Sequence, residues 1–308
     1  MRTYQMEEPT PPTKPNMPSR SRNHHYVPQV LQRQFLAKNQ CIWFSERGDD
    51  GKYCAPYLKN IAKAFFRKDH YTIDINDKPS DIVETDFYGS IDNYLGQLLP
   101  QITRYLNSGI PPLFESGALT GLRQTVIAMA KRTPEFTDKF DDQTIGLEFA
   151  DTLLTALPEH SGIERTHILK TLSDKNSLKK TGRTIRVRAT IAPSDKVDTV
   201  LEEFSARFVI SSSRHSYIIS SLLAYIIGNG GPNGLSNPKA EIWMPISPKH
   251  VLVLIRDPDN RIPIISEDTT DHIRQVNEFS AHNSKQIASH SQQLLESITG
   301  KKAKRNQH

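Results

Sequence analysis

The stretch Glu241-Ile242-Trp243-Met244-Pro245-Ile246-Ser247-Pro248-Lys249-His250-Val251-Leu252-Val253-Leu254-Ile255 sets the fold class. Two apolar runs rich in β-branched residues flank a Ser-Pro-Lys turn, the pattern of a strand pair. Just upstream, Ala206 to Ile210, Tyr217 to Ser220 and Leu222 to Ile227 read as extended segments, with a glycine and asparagine loop over Gly228 to Pro238. Earlier in the chain the apolar period is helical. Ile82, Phe87, Ile91, Leu95, Leu98, Leu99, Ile102 and Leu106 approximate one stripe from about Asp81 to Leu106, and Pro100 is expected to kink or split it. Further helices are expected over 116–131, ending before Thr133-Pro134, then over 141–157, 161–172, 197–204 and 271–298. The expectation is an α+β fold: a helix-rich single domain with an N-terminal hairpin and a small, mainly antiparallel C-terminal sheet.

Toward the N-terminus, residues 1–22 carry Pro9, Pro11, Pro12, Pro15 and Pro18 and read as a disordered leader. The globular domain is expected over 23–298 and a basic disordered tail over 299–308. Val30, Leu31, Phe35 and Leu36 suggest a short helix, Cys41-Ile42-Trp43-Phe44 a strand, and His70-Tyr71-Thr72-Ile73 another. The turn Arg47 to Gly51 leads back into Lys52-Tyr53-Cys54; a loop centred between Arg47 and Gly48 sets Cys41 opposite Cys54. No run of about 18 apolar residues exists to span a membrane. An apolar signal core is missing at the start and there are two cysteines in the 308 residues, so a reducing cytoplasm is the expected setting. The net charge of +5 makes an acidic partner plausible, although Arg20, Arg22, Lys301, Lys302, Lys304 and Arg305 place much of it in the tails.

The sharpest chemical signal is Asn23-His24-His25-Tyr26-Val27-Pro28-Gln29. Adjacent histidines in extended chain point to opposite faces, so one can serve a site while the other packs. Imidazole titrates near neutral pH and suits proton transfer or a metal bond; the plainer reading is a hydrogen-bonded pair fixing the leader to the core. Glu84 and Asp92 lie about 80° apart on a regular helix and with His25 offer oxygen and nitrogen ligands to a divalent metal. Solvated carboxylates pairing with Lys78 or Arg104 are the competing reading. Arg132, at a helix end, is either a cap on the macrodipole or a forked anion clamp. Asn277 can orient a histidine or satisfy a buried polar group. Zinc held by His24 or His25 with Cys41 and Cys54 competes with two buried thiols. Lys179, Lys180, Arg183, Arg186 and Arg188 form a cationic stretch suited to salt-sensitive phosphate contact with nucleic acid, or else to a solvated loop. Ser211 to Ser213 near His215 form no nucleophile elbow, and Gly228 to Pro232 lack the Lys-Ser/Thr of a phosphate loop.

The ordered chain resembles a mostly bacterial family of unassigned function, the domain-of-unknown-function family 4238. The likeness runs from His24-His25-Tyr26-Val27-Pro28 with Leu31 and Phe35 through Trp43 and the aromatic stretch Phe65 to Tyr71. Glu84 and Asp92 are similar to the family's paired acids, where the second is usually Glu. Arg132-Thr133-Pro134 is similar to its Arg-Thr-Pro helix end, Trp243 to Pro248 to its Pro-Leu-Ser-Pro turn, and Asn277 to the Asn of its last helix. Phe208 to Ser213 depart from it, lacking the Asp and Pro of a Ser-Asp-Asn-Pro motif. The resemblance implies a fold and a set of site positions, and no reaction. Two functions are expected of it. One is a metal-assisted hydrolase, nuclease-like or toxin-like, acting on a phosphate-bearing substrate, with His24 or His25 as ligand or base, Glu84 and Asp92 as carboxylates and Arg132 as clamp. The other is a non-catalytic module that binds nucleic acid or protein, with the His-His-Tyr-Val-Pro segment as a structural latch.

Overall fold

A computed structural model describes residues 22–76, 78–157, 162–232 and 234–303. The rest of the expected leader and tail, 1–21 and 304–308, lies outside the described residues.

The N-terminal part is built of short strands: β1 (Asn23–His25), β2 (Cys41–Glu46), β3 (Tyr57–Asn60), β4 (Phe66–Lys68), β5 (Ile73–Ile75) and β6 (Lys78–Ser80). The one-turn helix α1 (Gln29–Gln32) follows β1. A π-helical turn over Val83–Tyr88 opens α2 (Gly89–Asn107), and α3 (Ser116–Lys131) and α4 (Pro134–Thr137) follow. Next come α5 (Asp142–Ala156), α6 (Gly162–Ser173), α7 (Lys175–Ile191) and α8 (Asp195–Leu201). The last third holds β7 (Phe204–Ile210), β8 (Ile219–Ser220), β9 (Tyr225–Ile227), β10 (Glu241–Ser247), β11 (His250–Arg256), β12 (Ile265–Glu267), α9 (Thr270–His282), β13 (Gln286–Ser289) and α10 (Gln292–Thr299).

The architecture is α+β. The strand pair β10–β11 forms in register, Trp243 opposite Val253, inside a five-stranded sheet of order β12-β7-β11-β10-β9. All its pairings are antiparallel except β12 with β7. The register shifts between Pro245 and Ser247, an irregularity that accommodates a residue without a backbone donor. Alternate residues face two packed sides: Ile242, Met244, Leu252 and Leu254 join the main core, while Trp243, Val251 and Val253 meet Ile273 and Val276 of α9. The main core draws on residues from Tyr26 to Ala288, so both ends of the domain close it.

Several local expectations change. The segment 271–298 is not continuous helix, because β13 interrupts it and pairs with β2, Ser289 opposite Trp43. Gln-Ile-Ala-Ser has little strand signature of its own; the partner, over 240 residues away, decides its state. The N-terminal hairpin forms with another register: Cys41 lies opposite Asn60, and the turn tip is at Gly48 to Gly51, where Gly51 has φ 72°. Cys41 and Cys54 therefore do not face each other. Helix α2 runs unbroken through Pro100, and the irregularity sits at the π-helical start instead. His70 and Tyr71 occupy a turn between β4 and β5 rather than a strand. The cationic stretch is helix α7, not a loop, and it packs against α5 at backbone distance: a Cβ on Gly182 would lie 1.7 Å from the Asp142 carbonyl oxygen. No helix among the described residues is long and apolar enough to cross a membrane.

Candidate functional site

Strand β1 pairs antiparallel with β4, and its pleat separates the two histidines. His24 is fully buried. Its Nδ1 accepts the Tyr71 backbone N–H at 2.9 Å, its Nε2 lies 3.6 Å from Asp81 Oδ1, and its ring stacks on Tyr71 at 5.6 Å and 7°. An acceptor at Nδ1 puts the proton of the neutral ring on Nε2, facing the carboxylate. Asp81 in turn accepts from the Thr72 hydroxyl at 3.2 Å. His24 is thus the latch that ties the start of the domain to the turn after β4.

His25 is half-buried on the other side, its Nε2 3.4 Å from Gln29 Nε2 and its ring against Phe66. Burial first, then the Arg132 charge, hold its pKa below the ordinary imidazole value, against the carbonyls of Ala62 and Ile61 and the Asp92 carboxylate. It is a neutral base at physiological pH.

Arg132 occupies the centre. It is 0% exposed at the end of α3. Asp92 clamps its guanidinium with two hydrogen bonds, 2.5 Å from Nη1 and 3.3 Å from Nη2, while Glu84 Oε2 lies 3.9 Å from Nη2. The guanidinium sits 4.5 Å over the Tyr88 ring, and the Tyr71 hydroxyl donates to the Arg132 carbonyl at 2.5 Å. Burial alone would lower the Arg132 pKa; Asp92, Tyr71 and Glu84 outweigh it and raise it, so the group is a permanent cation. Glu84 and Tyr88 come from the π-helical turn and Asp92 from the first turn of α2. Each π turn takes up more residues than 3.6, which closes much of the roughly 80° that a regular helix would put between the two acids.

Glu84 is the second acid beside the guanidinium. Its side chain is 16% exposed. Burial pushes its pKa from 4.5 up to about 7; Arg132 pulls it down, Asp92 pushes it up, and the His25 backbone N–H that it accepts pulls it down. Glu84 Oε2 and Arg132 Nε are both buried without a hydrogen-bond partner. Two unmet polar atoms of opposite character in one buried cluster are uncommon in a purely structural network.

The structure brings His25, Glu84, Asp92 and Arg132 together and gives His24 a separate, closed role. Asn277 belongs elsewhere: its Nδ2 donates to the Ser216 carbonyl at 2.8 Å and its Oδ1 accepts from Ile218 N–H at 3.0 Å. Among the described residues no three His, Cys, Asp or Glu side chains form a metal-holding group. On α7, Lys179, Arg183 and Arg186 share a stripe at i, i+4 and i+7, whereas Lys180 and Arg188 point roughly 100° and 180° away from Lys179. Arg186 is tied to Asp142 at 2.6 Å. Sequence reasoning missed Tyr71 and Tyr88, which wall the site. Tyr88 lies four residues after Glu84, a spacing that could have marked it. Glu135, directly after the Arg-Thr-Pro run, was also missed; it accepts from the Ser221 hydroxyl and, at 3.0 Å, from the Lys285 backbone N–H.

A family model described as "Protein of unknown function (DUF4238)" matches residues 23–293. No curated protein and no solved structure gives a match.

Proposed function

We propose that this chain, which belongs to the DUF4238 family, is a hydrolytic enzyme whose acid–base group is Glu84. The observation that carries the reading is a buried carboxyl with a pKa of about 7 beside a fixed guanidinium, with one oxygen unmatched. A general acid–base works best when its pKa lies near the working pH. Ionised Glu84 takes the proton of an attacking water, and the neutral acid so formed returns it to the leaving group. Burial raises the proton affinity of Glu84, Arg132 lowers it and Asp92 raises it further, and neutral His25 offers a second proton-accepting nitrogen at the partly exposed edge.

Arg132 works here as a positioning residue rather than a clamp on substrate, since Asp92 already takes both terminal nitrogens. With Glu84 protonated the Glu84–Asp92–Arg132 cluster sums to zero charge, and with Glu84 ionised to minus one. A phosphate-bearing substrate gains no attraction from such a cluster. A divalent cation on His25 and Asp92 would have to displace the guanidinium from both Asp92 oxygens, so we assign no metal role to that pair.

The test is a side-chain carboxyl titration by NMR of the full chain, with Glu84→Gln assigning the signal. The same two proteins are run against neutral esters, amides and glycosides and against phosphate esters. A Glu84 midpoint near 7, with turnover of a neutral substrate that Glu84→Gln abolishes, supports the proposal. A midpoint at the ordinary 4.5 removes its basis.

A further inference from the structure

A cavity of about 580 Å³ lies away from Glu84, between the loop 211–216, helix α9 and the start of α10. We infer that it is a binding site for a small phosphorylated molecule, held by Arg214 and Arg274 with His215 and His290. The volume is that of a small-ligand pocket. Its charged lining is two arginines against one acid, Glu278, with the two imidazoles between them. Both guanidiniums are exposed at the rim; Arg274 has only a loose contact with Asp271, at 3.9 Å, so its fork is open to an anion. The planar fork of arginine matches the oxygens of phosphate better than a lysine ammonium does.

The wall that presents these groups is rigid. The loop carbonyls turn inward, where Lys249 Nζ donates to those of Ser213 and His215 at 2.6 and 2.9 Å, and the Ser211 hydroxyl donates to His215 at 2.6 Å. Asn277 fixes the next turn through Ser216 and Ile218. With its backbone oxygens engaged on the inner side, the loop offers Arg214 and His215 to the cavity. From the opposite wall His290 presents a ring whose Nδ1 is buried with no hydrogen-bond partner, one residue before the Ser291 cap of α10. This gives Asn277 a role: it is a positioning residue for this cavity and not part of the Glu84 cluster.

The experiment is calorimetric titration of the full chain with inorganic phosphate and with glycerol 3-phosphate, followed in parallel by the His215 and His290 ring proton signals. Saturable binding is expected, with movement of both imidazole signals. Arg214→Ala with Arg274→Ala should weaken it at least about tenfold, as expected for the loss of charge-assisted forks. Lys179→Ala with Arg183→Ala, on the separate stripe of α7, should leave it unchanged. Both replaced arginines are exposed, so circular dichroism should show the folded chain in each variant. Three results overturn the inference: no saturable heat with either probe, equal affinity in the Arg214/Arg274 variant, or imidazole signals that phosphate does not move. Tighter binding of glycerol 3-phosphate than of phosphate identifies an organic phosphate as ligand, and the reverse order a free phosphate; failure of the Glu84 titration would touch neither.

Discussion

Replacing Glu84 by Gln should make the protein more stable at pH 8 and leave it nearly as stable at pH 4. The carboxyl titrates at about 7 in the folded chain against 4.5 when free. Below 4.5 it is protonated in both states and contributes no pH dependence. As pH rises from there, the unfolded chain ionises first, and unfolding gains free energy until the folded carboxyl also ionises near 7. Stability is therefore lost with rising pH across that window and levels off above it. At about 1.4 kcal/mol per pH unit the full loss is about 3 kcal/mol, and slightly less for a group that still touches solvent. Gln keeps the shape and cannot ionise. The assay is urea unfolding of both proteins at pH 4 and pH 8, taking the difference of differences so that other titrating groups cancel. The variant should gain about 2–3 kcal/mol on the wild type between the two pH values. Equal pH dependence in the two proteins would refute the buried, proton-holding carboxyl and with it the hydrolase proposal.

The two histidines should separate cleanly. His25→Ala is expected to abolish activity while changing stability by less than about 1 kcal/mol, whereas His24→Ala strands the buried Tyr71 N–H and should cost about 3 kcal/mol, both read by thermal unfolding and turnover. Gly182→Ala forces a Cβ into the Asp142 carbonyl and should destabilise by about 3 kcal/mol or more in denaturant unfolding, while Gly117→Ala, with nothing within 4 Å, should stabilise by up to about 1 kcal/mol. His70 is buried with its pKa pushed down to about 3, so the unfolded chain binds a proton first as pH falls below 6.5; His70→Gln should flatten that acid loss of stability between about pH 6.5 and 3.

The main sheet and most helices were legible because their apolar periods are long and local. β11 carries a continuous Val, Leu and Ile run and β10 an apolar Ile-Trp-Met-Pro-Ile run, while α3 ends shortly before a residue that stops a helix, Pro134, and α5 begins at a capping one, Asp141. What was not legible depends on partners far away. β13 is a strand because β2 lies beside it, and the hairpin register follows the pairing of β3 with β2 rather than a turn residue count. The acids and Arg132 could be named from their motifs, but not their mutual arrangement. Whether an arginine holds a substrate or its own carboxylates is decided by packing across 40 residues of sequence.

The π-helical turn explains how one short segment serves two demands. Val83 and Tyr88 must be buried, Glu84 must reach a guanidinium 48 residues away, and Asp92 must reach the same guanidinium from α2. On a regular helix the two acids diverge by about 80°, and one of them would point to solvent. Widening the turn aligns them and sets the Tyr88 ring beneath Arg132. The gain is not stability: a carboxyl kept protonated near neutral pH and two buried polar atoms without partners both cost free energy in the folded chain. A network selected only to hold the fold would have let Arg132 neutralise Glu84 as fully as it neutralises Asp92. The 3.9 Å gap to Glu84, against 2.5 Å to Asp92, leaves one acid tied to the cation and the other able to exchange a proton. That division between two carboxylates on one cation is the reason to look for chemistry at Glu84.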